Sequence, residues 1–309
     1  MPPNPFSALL HGSAVAILDG GLGTELERRG ADLSDPLWSA RLLADDPEAI
    51  VATHLAYVRA GAQVVTTASY QATFEGFAAR GLGHDAAAAL MTRSVELARE
   101  ARRRSGQPAV LVAASIGPYG AMLADGSEYS GDYGLTVAQL RDFHRPRLDV
   151  LASSGGDLLA LETVPSVDEG RALVELLSDR PETTAWLSFT CRDGAHTRRG
   201  DPVEAAFDLV RDVPGIVAVG VNCTEPQFIA ELTRRAADRT DLPIIVYPNG
   251  GERWDASGRR WSGSGSEPGG IPGQVGAWLA SGARIVGGCC RVGPETIAAI
   301  AAVAGRGPG

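Results

Sequence analysis

The chain has 309 residues, 44% of them hydrophobic, and a formal net charge of −9. This acidic net charge argues against binding to nucleic acid, which requires a basic face, and the apolar fraction is sufficient for a large buried core. All 28 basic residues are arginines, so a catalytic lysine Schiff base and a Walker-A lysine are both excluded.

The N-terminal residues and the number of cysteines indicate in which cellular compartment the protein is expected. Residues 1–13 contain no basic segment and no long apolar run, so neither a signal peptide nor a membrane helix is expected. Four cysteines in a chain of this length are too few for a disulfide framework. We therefore expect a cytoplasmic protein whose clustered cysteines serve metal binding or catalysis.

Eight short apolar segments recur along the chain, each of a length typical of a buried parallel strand. They cover residues 15–21, 63–69, 109–116, 157–162, 184–190, 216–223, 243–247 and 283–290. Helix-like segments separate them, and capping boxes are expected at Thr136, Ser166 and Thr224. Eight strand–helix repeats predict an α/β fold, a closed (β/α)8 TIM-type barrel, with residues 1–309 forming one domain.

Two connections between these segments are unusually long. Residues 117–135 and 249–270 both follow the carboxyl end of a strand, where barrel active sites lie. They are candidate lids or binding loops, and the alternative is that both are variable surface excursions.

Three cysteines stand at two of the predicted strand ends. Cys223 ends the sixth segment, and Cys289 and Cys290 end the eighth, so a closed barrel would place all three on one rim. Sulfur ligands select zinc or another soft metal, and three ligands with one open position describe a catalytic zinc. The alternative is buried small residues or an oxidised vicinal pair. Cys191 has no partner at a suitable spacing and is expected not to be a ligand.

Local sequence around the cysteines supports the metal interpretation. If Thr224 caps a helix, Cys223 lies just before a helix N-terminus, where the partial positive charge favours thiolate. Gly287 and Gly288 would let the backbone turn, so that both following side chains point at one centre.

The other strand ends carry groups suited to an amino acid. The turn Asp19-Gly20-Gly21 precedes a predicted capping box at Thr24, and its backbone amides could bind a carboxylate. Asp19 and Glu162 could accept hydrogen bonds from an ammonium group, although either residue alone could be a structural cap. Further candidates for substrate contact or ligand orientation are Thr67, Asn222 and Asn249.

Six motifs carry a resemblance to a known family: Asp19-Gly-Gly-Leu-Gly-Thr-Glu25, Thr67-Ala-Ser-Tyr-Gln-Ala-Thr73, Leu161-Glu-Thr163, Val221-Asn-Cys223, Tyr247-Pro-Asn-Gly250 and Gly287-Gly-Cys-Cys290. From the first strand to the eighth, the chain resembles the homocysteine S-methyltransferases. The resemblance implies a zinc-dependent barrel that transfers a methyl group to the sulfur of homocysteine and forms methionine.

The resemblance also assigns roles to individual residues. Cys223, Cys289 and Cys290 match the zinc ligands of the family, and Asn249 matches a position near the zinc that holds the open coordination position before substrate arrives. The homocysteine-binding positions of the family match four residues of this chain: Asp19, Gly20, Gly21 and Glu162.

The resemblance specifies the methyl donor less closely than the methyl acceptor. The chain is most similar to the short, single-domain branch that uses S-methylmethionine or S-adenosylmethionine, and Thr163 stands where the betaine-using branch has tyrosine. Phe74 departs from the small residue or proline of many short relatives. Aromatic candidates for contact with the sulfonium of the donor are Tyr70, Phe74, Tyr119 and Tyr133.

Two alternative functions and one structural question remain open at the sequence level. The acceptor could be another thiol or a selenol, such as selenocysteine, because the same binding groups would serve it. The three thiols could instead make a non-catalytic zinc- or redox-sensing barrel. The sequence leaves open whether the chain forms a homo-oligomer.

Overall fold

The computed structural model describes residues 4–12, 15–33, 38–123, 125–251, 253–255, 260–262 and 270–305. Eight parallel strands form its main sheet: β1 (Ala16–Ile17), β2 (Val64–Thr66), β3 (Leu111–Ile116), β4 (Leu158–Val164), β5 (Ala185–Phe189), β6 (Ile216–Asn222), β7 (Ile244–Tyr247) and β10 (Ala283–Val286). Strands β8 (Arg253–Asp255) and β9 (Arg260–Ser262) form a separate antiparallel pair.

The main sheet closes on itself. Its strand order is β1-β10-β7-β6-β5-β4-β3-β2, and a parallel bridge between Leu18 and Val64 joins the two end strands. Backbone hydrogen bonds support this closure, from Gln63 N to Ile17 O at 2.8 Å and from Asp19 N to Val64 O at 3.0 Å. The predicted (β/α)8 barrel is therefore confirmed.

Helices surround the barrel: α1 (Phe6–Gly12), α2 (Leu22–Arg28), α3 (Leu42–Asp45), α4 (Pro47–Arg59), α5 (Phe74–Ala78), α6 (His84–Ser105), α7 (Tyr119–Leu123), α8 (Val137–Ala152), α9 (Val167–Ser178), α10 (Val203–Asp208), α11 (Ile229–Ala237), α12 (Gly270–Ala280) and α13 (Pro294–Ala304). Their ends follow local chemistry. Asp46 accepts a hydrogen bond from Ala49 N at the start of α4, and α6 ends at Gly106 with φ of 70°. Across the described residues, no helix combines the length and apolar character needed to span a membrane.

Alternating side chains divide the core into two layers. Inside the barrel, Trp186 of β5 packs near Tyr247 of β7, with ring centroids 6.3 Å apart. Phe6 of α1 is fully buried against the same Trp186, so this helix closes one end of the barrel interior. The larger layer lies between strands and helices and includes Leu187 and Phe189, the neighbours of Trp186 that point outward.

The capping predictions were correct in part. Thr136 forms the predicted reciprocal capping box with Gln139. Ser166 caps α9, but the Glu169 carboxylate accepts a hydrogen bond from Tyr119 N and pairs with His144 instead of returning to the cap.

Two other predicted capping boxes were wrong. Thr24 lies inside α2, whose N-cap is Gly21, and its hydroxyl accepts from Arg291 N. The Thr224 hydroxyl donates to Asn222 O and accepts from Cys191 N, and a 3-10 turn at Pro226–Phe228 precedes α11. The hydroxyls of Thr24 and Thr224 are thus occupied by backbone amides that follow other strands, those of Arg291 and Cys191.

The two long connections contain structure of their own. Residues 117–135 include α7 and a 3-10 turn at Ser127–Tyr129. Residues 249–270 include the β8–β9 pair, and much of the remainder lies outside the described residues. The two segments predicted to be strands at 15–21 and 63–69 pair over shorter spans, because residues from Asp19 and Thr67 onward turn into the loops that carry polar side chains.

Candidate metal and substrate site

Three cysteine sulfurs come together at the carboxyl ends of β6 and β10. The Sγ atoms of Cys223, Cys289 and Cys290 all lie within 4.8 Å of one another, and β7 separates the two strands that deliver them. Cys223 and Cys289 form a disulfide with Cα atoms 5.6 Å apart, and Cys290 is a free, half-buried thiol. Cys191 is fully buried and lies outside this cluster.

Cys223 occupies a strained backbone position. Its φ is 47°, in the left-handed region that residues with a side chain rarely adopt. The neighbouring strands hold this conformation, since Cys223 N donates to Tyr247 O at 3.3 Å and the Thr190 hydroxyl donates to Cys223 O at 3.0 Å. The turn that directs the sulfur therefore depends on contacts with β5 and β7.

The glycines before the vicinal cysteines are needed for space. A Cβ atom on Gly288 would lie 2.1 Å from Val292 Cγ1, and one on Gly287 would lie 2.5 Å from Leu18 Cβ. Neither glycine has a positive φ, so these two positions require glycine for space and not for a left-handed backbone. Their amides donate to Val246 O and to Asp19 O, which binds this segment to β7 and to the loop after β1.

The predicted stabilisation of a Cys223 thiolate by a helix N-terminus was wrong. Because Thr224 does not cap a helix and α11 starts only at Ile229, a helix N-terminus does not stabilise a thiolate at Cys223. Burial raises the pKa of the Cys290 thiol to about 12, and the charge of Glu128 adds to the rise. A thiol with such a pKa remains protonated near neutral pH unless a metal binds it.

Asp19 is almost fully buried at the end of β1. Its carboxylate accepts hydrogen bonds from Thr66 N at 2.8 Å and from the Thr66 hydroxyl at 3.1 Å. Burial raises the pKa of Asp19 well above its usual value, opposed by the Thr66 hydrogen bonds and reinforced by the charge of Glu162. The two carboxylates are thus close enough to interact, as a shared ammonium site requires.

Glu162 lies near the end of β4 and is held from two sides. The Ser115 hydroxyl of β3 donates to its carboxylate, and the Tyr247 hydroxyl of β7 also favours the charged form of Glu162. Burial raises the pKa of Glu162 to about 7, against the effect of these hydrogen bonds. Thr67 contributes indirectly, because its hydroxyl accepts from Ser115 N at 3.0 Å and so supports the residue that binds Glu162.

Asn222 is fully buried, and its described hydrogen bonds are internal to the barrel. Its Oδ1 accepts from Thr163 N at 2.8 Å and from the Ser188 hydroxyl at 2.7 Å, and its Nδ2 donates to Thr163 Oγ1. Thr163 has a φ of 60°, so Asn222 holds a strained residue directly after Glu162. This geometry makes Asn222 a support of the site.

The glycine turn after β1 is packed against the cysteine segment. Gly21 N donates to Val292 O at 2.9 Å, so this amide is already occupied within the protein. Gly20 also approaches Val292 closely, since a Cβ atom there would lie 2.2 Å from Val292 O. The anion site expected at Gly20 and Gly21 stays a prediction. The Gly21 amide does not contribute to it, because this amide already donates to Val292 O.

Asn249 follows β7 beside the cysteines. Its Oδ1 is buried and has no hydrogen-bond partner among the described residues, and the next residue, Gly250, donates its N–H to Cys290 O at 2.8 Å. A buried amide oxygen without a partner is costly, so the site favours a ligand or metal at this point.

Several residues of the site were missed at the sequence level. Ser115, Ser188 and Tyr247 form hydrogen bonds inside the barrel at the level of Glu162. A signal was present, because hydroxyl residues interrupt strands that are otherwise apolar. The aromatic candidates divide: Tyr119 packs on Tyr133 with centroids 5.2 Å apart, whereas Phe74 stacks on His84 of α6.

The fold and these side chains define a class of protein. Active sites of parallel barrels lie at the carboxyl ends of the strands, and here that rim holds three sulfurs and two buried carboxylates. The arrangement is that of a barrel enzyme with a thiol-rich centre and two buried carboxylates at the same rim.

Comparison with known proteins identifies the family. A model of the homocysteine S-methyltransferase family matches residues 16–304. The chain is 47% identical over 304 residues to the homocysteine S-methyltransferase of Escherichia coli K12, covering 97% of this chain and 98% of that relative. This chain therefore belongs to the homocysteine S-methyltransferase family and is a methyltransferase rather than a non-catalytic sensing barrel.

Solved structures and a further relative extend the comparison. The metallated form of the E. coli homocysteine methyltransferase MmuM matches with a TM-score of 0.87 and 46% identity over 97% of this chain and 99% of that chain. Its oxidized form matches with a TM-score of 0.88, the same identity and the same shares of the two chains. The selenocysteine Se-methyltransferase of Brassica oleracea var. italica is 45% identical, over 92% of this chain and 87% of that relative.

Proposed function

We propose that this enzyme transfers a methyl group from a sulfonium donor, S-methylmethionine or S-adenosylmethionine, to the sulfur of homocysteine and so forms methionine. Zinc would be held by Cys223, Cys289 and Cys290 once the Cys223–Cys289 disulfide is reduced. The observation that carries the proposal is the cluster of three sulfurs on the rim of a barrel whose family transfers methyl groups to homocysteine.

The residues present fit a zinc ion. Three thiolates with one open position are the donor set of a catalytic zinc, and the unpartnered Oδ1 of Asn249 lies beside that set. Bound zinc supplies a positive charge that keeps a coordinating thiol deprotonated and nucleophilic near neutral pH.

Asp19 and Glu162 are assigned to the ammonium group of homocysteine. Both carboxylates are buried within the same rim, and the charge of Glu162 raises the pKa of Asp19, so a bound cation relieves this repulsion. Ser115 positions Glu162 through the hydrogen bond that its hydroxyl donates. The substrate sulfur would then be directed towards the cysteines.

The chemical step requires little acid or base catalysis. A bond forms between the acceptor sulfur and the methyl carbon, the bond from that carbon to the donor sulfur breaks, and its electron pair stays on the donor as a neutral thioether. The contribution of the protein is to align the three atoms and to exclude water. This agrees with a rim where the described hydrogen bonds to Asp19 and Glu162 come from hydroxyl and amide groups.

Substitution of Cys290 by alanine tests the metal centre. We expect Cys290→Ala to lose bound zinc and methyl transfer together, because two thiolates leave the ion under-coordinated, while the barrel stays folded. Metal analysis, circular dichroism and an assay with homocysteine and each sulfonium donor measure this in reduced protein. The matched control Cys191→Ala removes a buried thiol outside the cluster and should retain zinc. A fully active, zinc-replete Cys290→Ala enzyme would contradict the proposal.

A second acceptor is favoured by one comparison. The relative from Brassica oleracea is a selenocysteine Se-methyltransferase at 45% identity, and the same carboxylates and metal would hold a selenol substrate. Competition kinetics with homocysteine and selenocysteine in one assay distinguish the two. A higher kcat/KM for selenocysteine would reverse the assignment of the preferred acceptor.

A further inference from the structure

Strand β4 contains one extra residue where it reaches the rim. At this point β4 has two residues, Glu162 and Thr163, and the paired strand β5 has only Ser188. Such a bulge redirects the side chains of a strand, and bulges are frequent beside active sites. Both residues of the bulge bond to side chains inside the barrel, Glu162 to the Ser115 hydroxyl and Thr163 to Asn222. The bulge therefore turns two successive side chains towards the barrel interior.

A buried asparagine joins this bulge to the strand that carries the first cysteine. Asn222 of β6 accepts from Thr163 N at 2.8 Å, and its Nδ2 donates to Thr163 Oγ1 at 2.7 Å. The Ser188 hydroxyl, on the strand between them, also donates to Asn222 Oδ1 at 2.7 Å. These bonds use three of the four hydrogen-bonding positions of the amide, so its orientation is fixed.

The same two strand ends carry strained residues of the site. Thr163, directly after Glu162, has a φ of 60°, and Cys223, directly after Asn222, has a φ of 47°. A residue with a side chain keeps such a left-handed conformation only when its surroundings hold it. The hydrogen bonds between Asn222 and Thr163 therefore connect the turn after Glu162 to the turn that directs the Cys223 sulfur. A shift of one strand end relative to the other would break buried hydrogen bonds, which is costly.

We propose that the Asn222–Thr163 pair fixes the span between Glu162 and Cys223 and thereby selects homocysteine over cysteine. The inference rests on the proposed function, in which Glu162 binds the ammonium group of the acceptor and Cys223 helps to hold the metal that binds its sulfur. Cysteine has one methylene fewer between these two groups, so it fits poorly between anchors whose separation is fixed. A misplacement of about 1 Å in a reacting group can reduce a rate on the order of a hundredfold.

Asn222 and Thr163 act in this proposal as positioning residues. Both are fully buried, and each acts through the residue next to it in the chain. Zinc binding should depend on them less than acceptor choice does, because Cys223 is also held by other contacts. Its N–H donates to Tyr247 O at 3.3 Å, and its carbonyl accepts from the Thr190 hydroxyl at 3.0 Å.

The test compares Thr163→Val with wild type in the reduced, zinc-loaded enzyme, with homocysteine and cysteine competing in one assay. Valine keeps the branched shape but lacks the oxygen that accepts from Asn222 Nδ2. We expect wild type to prefer homocysteine in kcat/KM by roughly tenfold to a hundredfold, the range for one methylene, and this preference to fall about tenfold in Thr163→Val. Both acceptors compete for the same enzyme, so the ratio does not depend on the fraction of folded protein. Zinc content and donor KM should stay unchanged.

Further variants separate the lost oxygen from a general disturbance of the fold. Thr163→Ser retains the oxygen and should keep the wild-type preference. Thr163→Gly removes it at a φ of 60° that glycine adopts readily, and should show the reduced preference of Thr163→Val. The matched control Thr184→Val changes a buried threonine just before β5, at the opposite end of that strand from the rim, and should leave the ratio unchanged.

Failure of the inference and failure of the proposed function give different results. If the wild-type enzyme methylates no homocysteine, the proposed function fails. If wild type methylates homocysteine and cysteine with equal kcat/KM, or if Thr163→Val and Thr163→Gly keep the wild-type preference, only the inference is overturned. Loss of zinc from Thr163→Val would also overturn it, since the pair would then support the metal ligand instead of the span.

Discussion

The chemistry of individual side chains at the rim is governed by burial. Asp19 and Glu162 are carboxylates in a barrel mouth, and burial is the largest cause of the raised pKa of each. Hydroxyl and amide donors from Thr66, Ser115 and Tyr247 oppose that rise. Glu162 therefore ionises near neutral pH. A bound ammonium group would lower its pKa and so favour the charged carboxylate.

This pKa predicts how homocysteine affinity depends on pH. Because the pKa of Glu162 is about 7, the carboxylate is charged above that pH and protonates below it. We expect the homocysteine KM to rise about tenfold from pH 8 to pH 6 at saturating donor. Glu162→Gln should have a high KM at pH 8 and a flatter profile, as measured by steady-state kinetics.

The neighbouring titratable groups are part of this prediction. The charge of Glu162 raises the pKa of Asp19, so Glu162→Gln also lowers the pKa of Asp19 and flattens the profile further. The control Glu96→Gln changes an exposed residue of α6 and should keep the wild-type profile. An identical pH slope in wild type and Glu162→Gln would show that another group controls binding.

At the scale of elements, the loops after β1, β6, β7 and β10 are joined into one unit. Gly288 N donates to Asp19 O, Cys289 N donates to Pro248 O, and Gly250 N donates to Cys290 O. The sulfurs are therefore positioned by backbone hydrogen bonds between loops that are distant in sequence. A change in one loop should move the others.

Gly288→Ala tests this coupling. The added Cβ would lie 2.1 Å from Val292 Cγ1 and 2.4 Å from its Cβ, so the cysteine loop must shift. We expect the free energy of unfolding to fall by about 1–3 kcal/mol and zinc affinity to fall with it. Denaturant unfolding and metal titration measure the two effects.

Two further variants make the Gly288 result specific. Gly276→Ala lies on the exposed face of α12 with no atom within 4 Å of the new Cβ, so it should be neutral or stabilising. The double variant Gly288→Ala/Val292→Gly removes the clash and should regain zinc binding. Wild-type zinc affinity in Gly288→Ala would show that the close packing is not required.

At the scale of the whole molecule, stability responds to acid through buried histidine. His54 of α4 is fully buried, and neither ring nitrogen has a hydrogen-bond partner among the described residues. Burial lowers its pKa from 6.5 to about 4. Between these values the unfolded chain takes up a proton that the folded protein excludes, so stability is lost as the pH falls from 6.5 to 4.

His54→Leu measures this contribution. The variant should match or exceed the wild-type free energy of unfolding at pH 8, because an unsatisfied imidazole is replaced by an apolar side chain. Its loss of stability between pH 6.5 and 4 should be smaller by up to roughly 3 kcal/mol. Urea unfolding at several pH values checks this.

Comparing His54→Leu with wild type removes the opposing effect of Glu162 on acid stability. The raised pKa of Glu162 makes the folded state bind more protons between its usual value of 4.5 and about 7, which adds stability as the pH falls. This contribution is common to wild type and His54→Leu and cancels in their difference. The control His84→Gln changes an exposed histidine, and equal acid slopes in wild type and His54→Leu would contradict the assignment.

The sequence alone determined the barrel, its order of strands and helices, and which strand ends carry polar or sulfur-containing side chains. This was possible because hydrophobic periodicity and turn residues are features of short sequence segments. In addition, eight strand–helix repeats with short right-handed connections favour one closed arrangement of parallel strands. The cysteines, Asp19, Glu162 and Asn249 could all be selected as candidates on that basis. Their assignment as metal and substrate residues stays a prediction.

Only the tertiary structure decided what each polar group contacts. Thr24 and Thr224 match capping signatures, yet their hydroxyls bind neighbouring loops, since a competing tertiary hydrogen bond is invisible in a local pattern. Gly287 and Gly288 are needed for close approach between strands that are far apart in sequence.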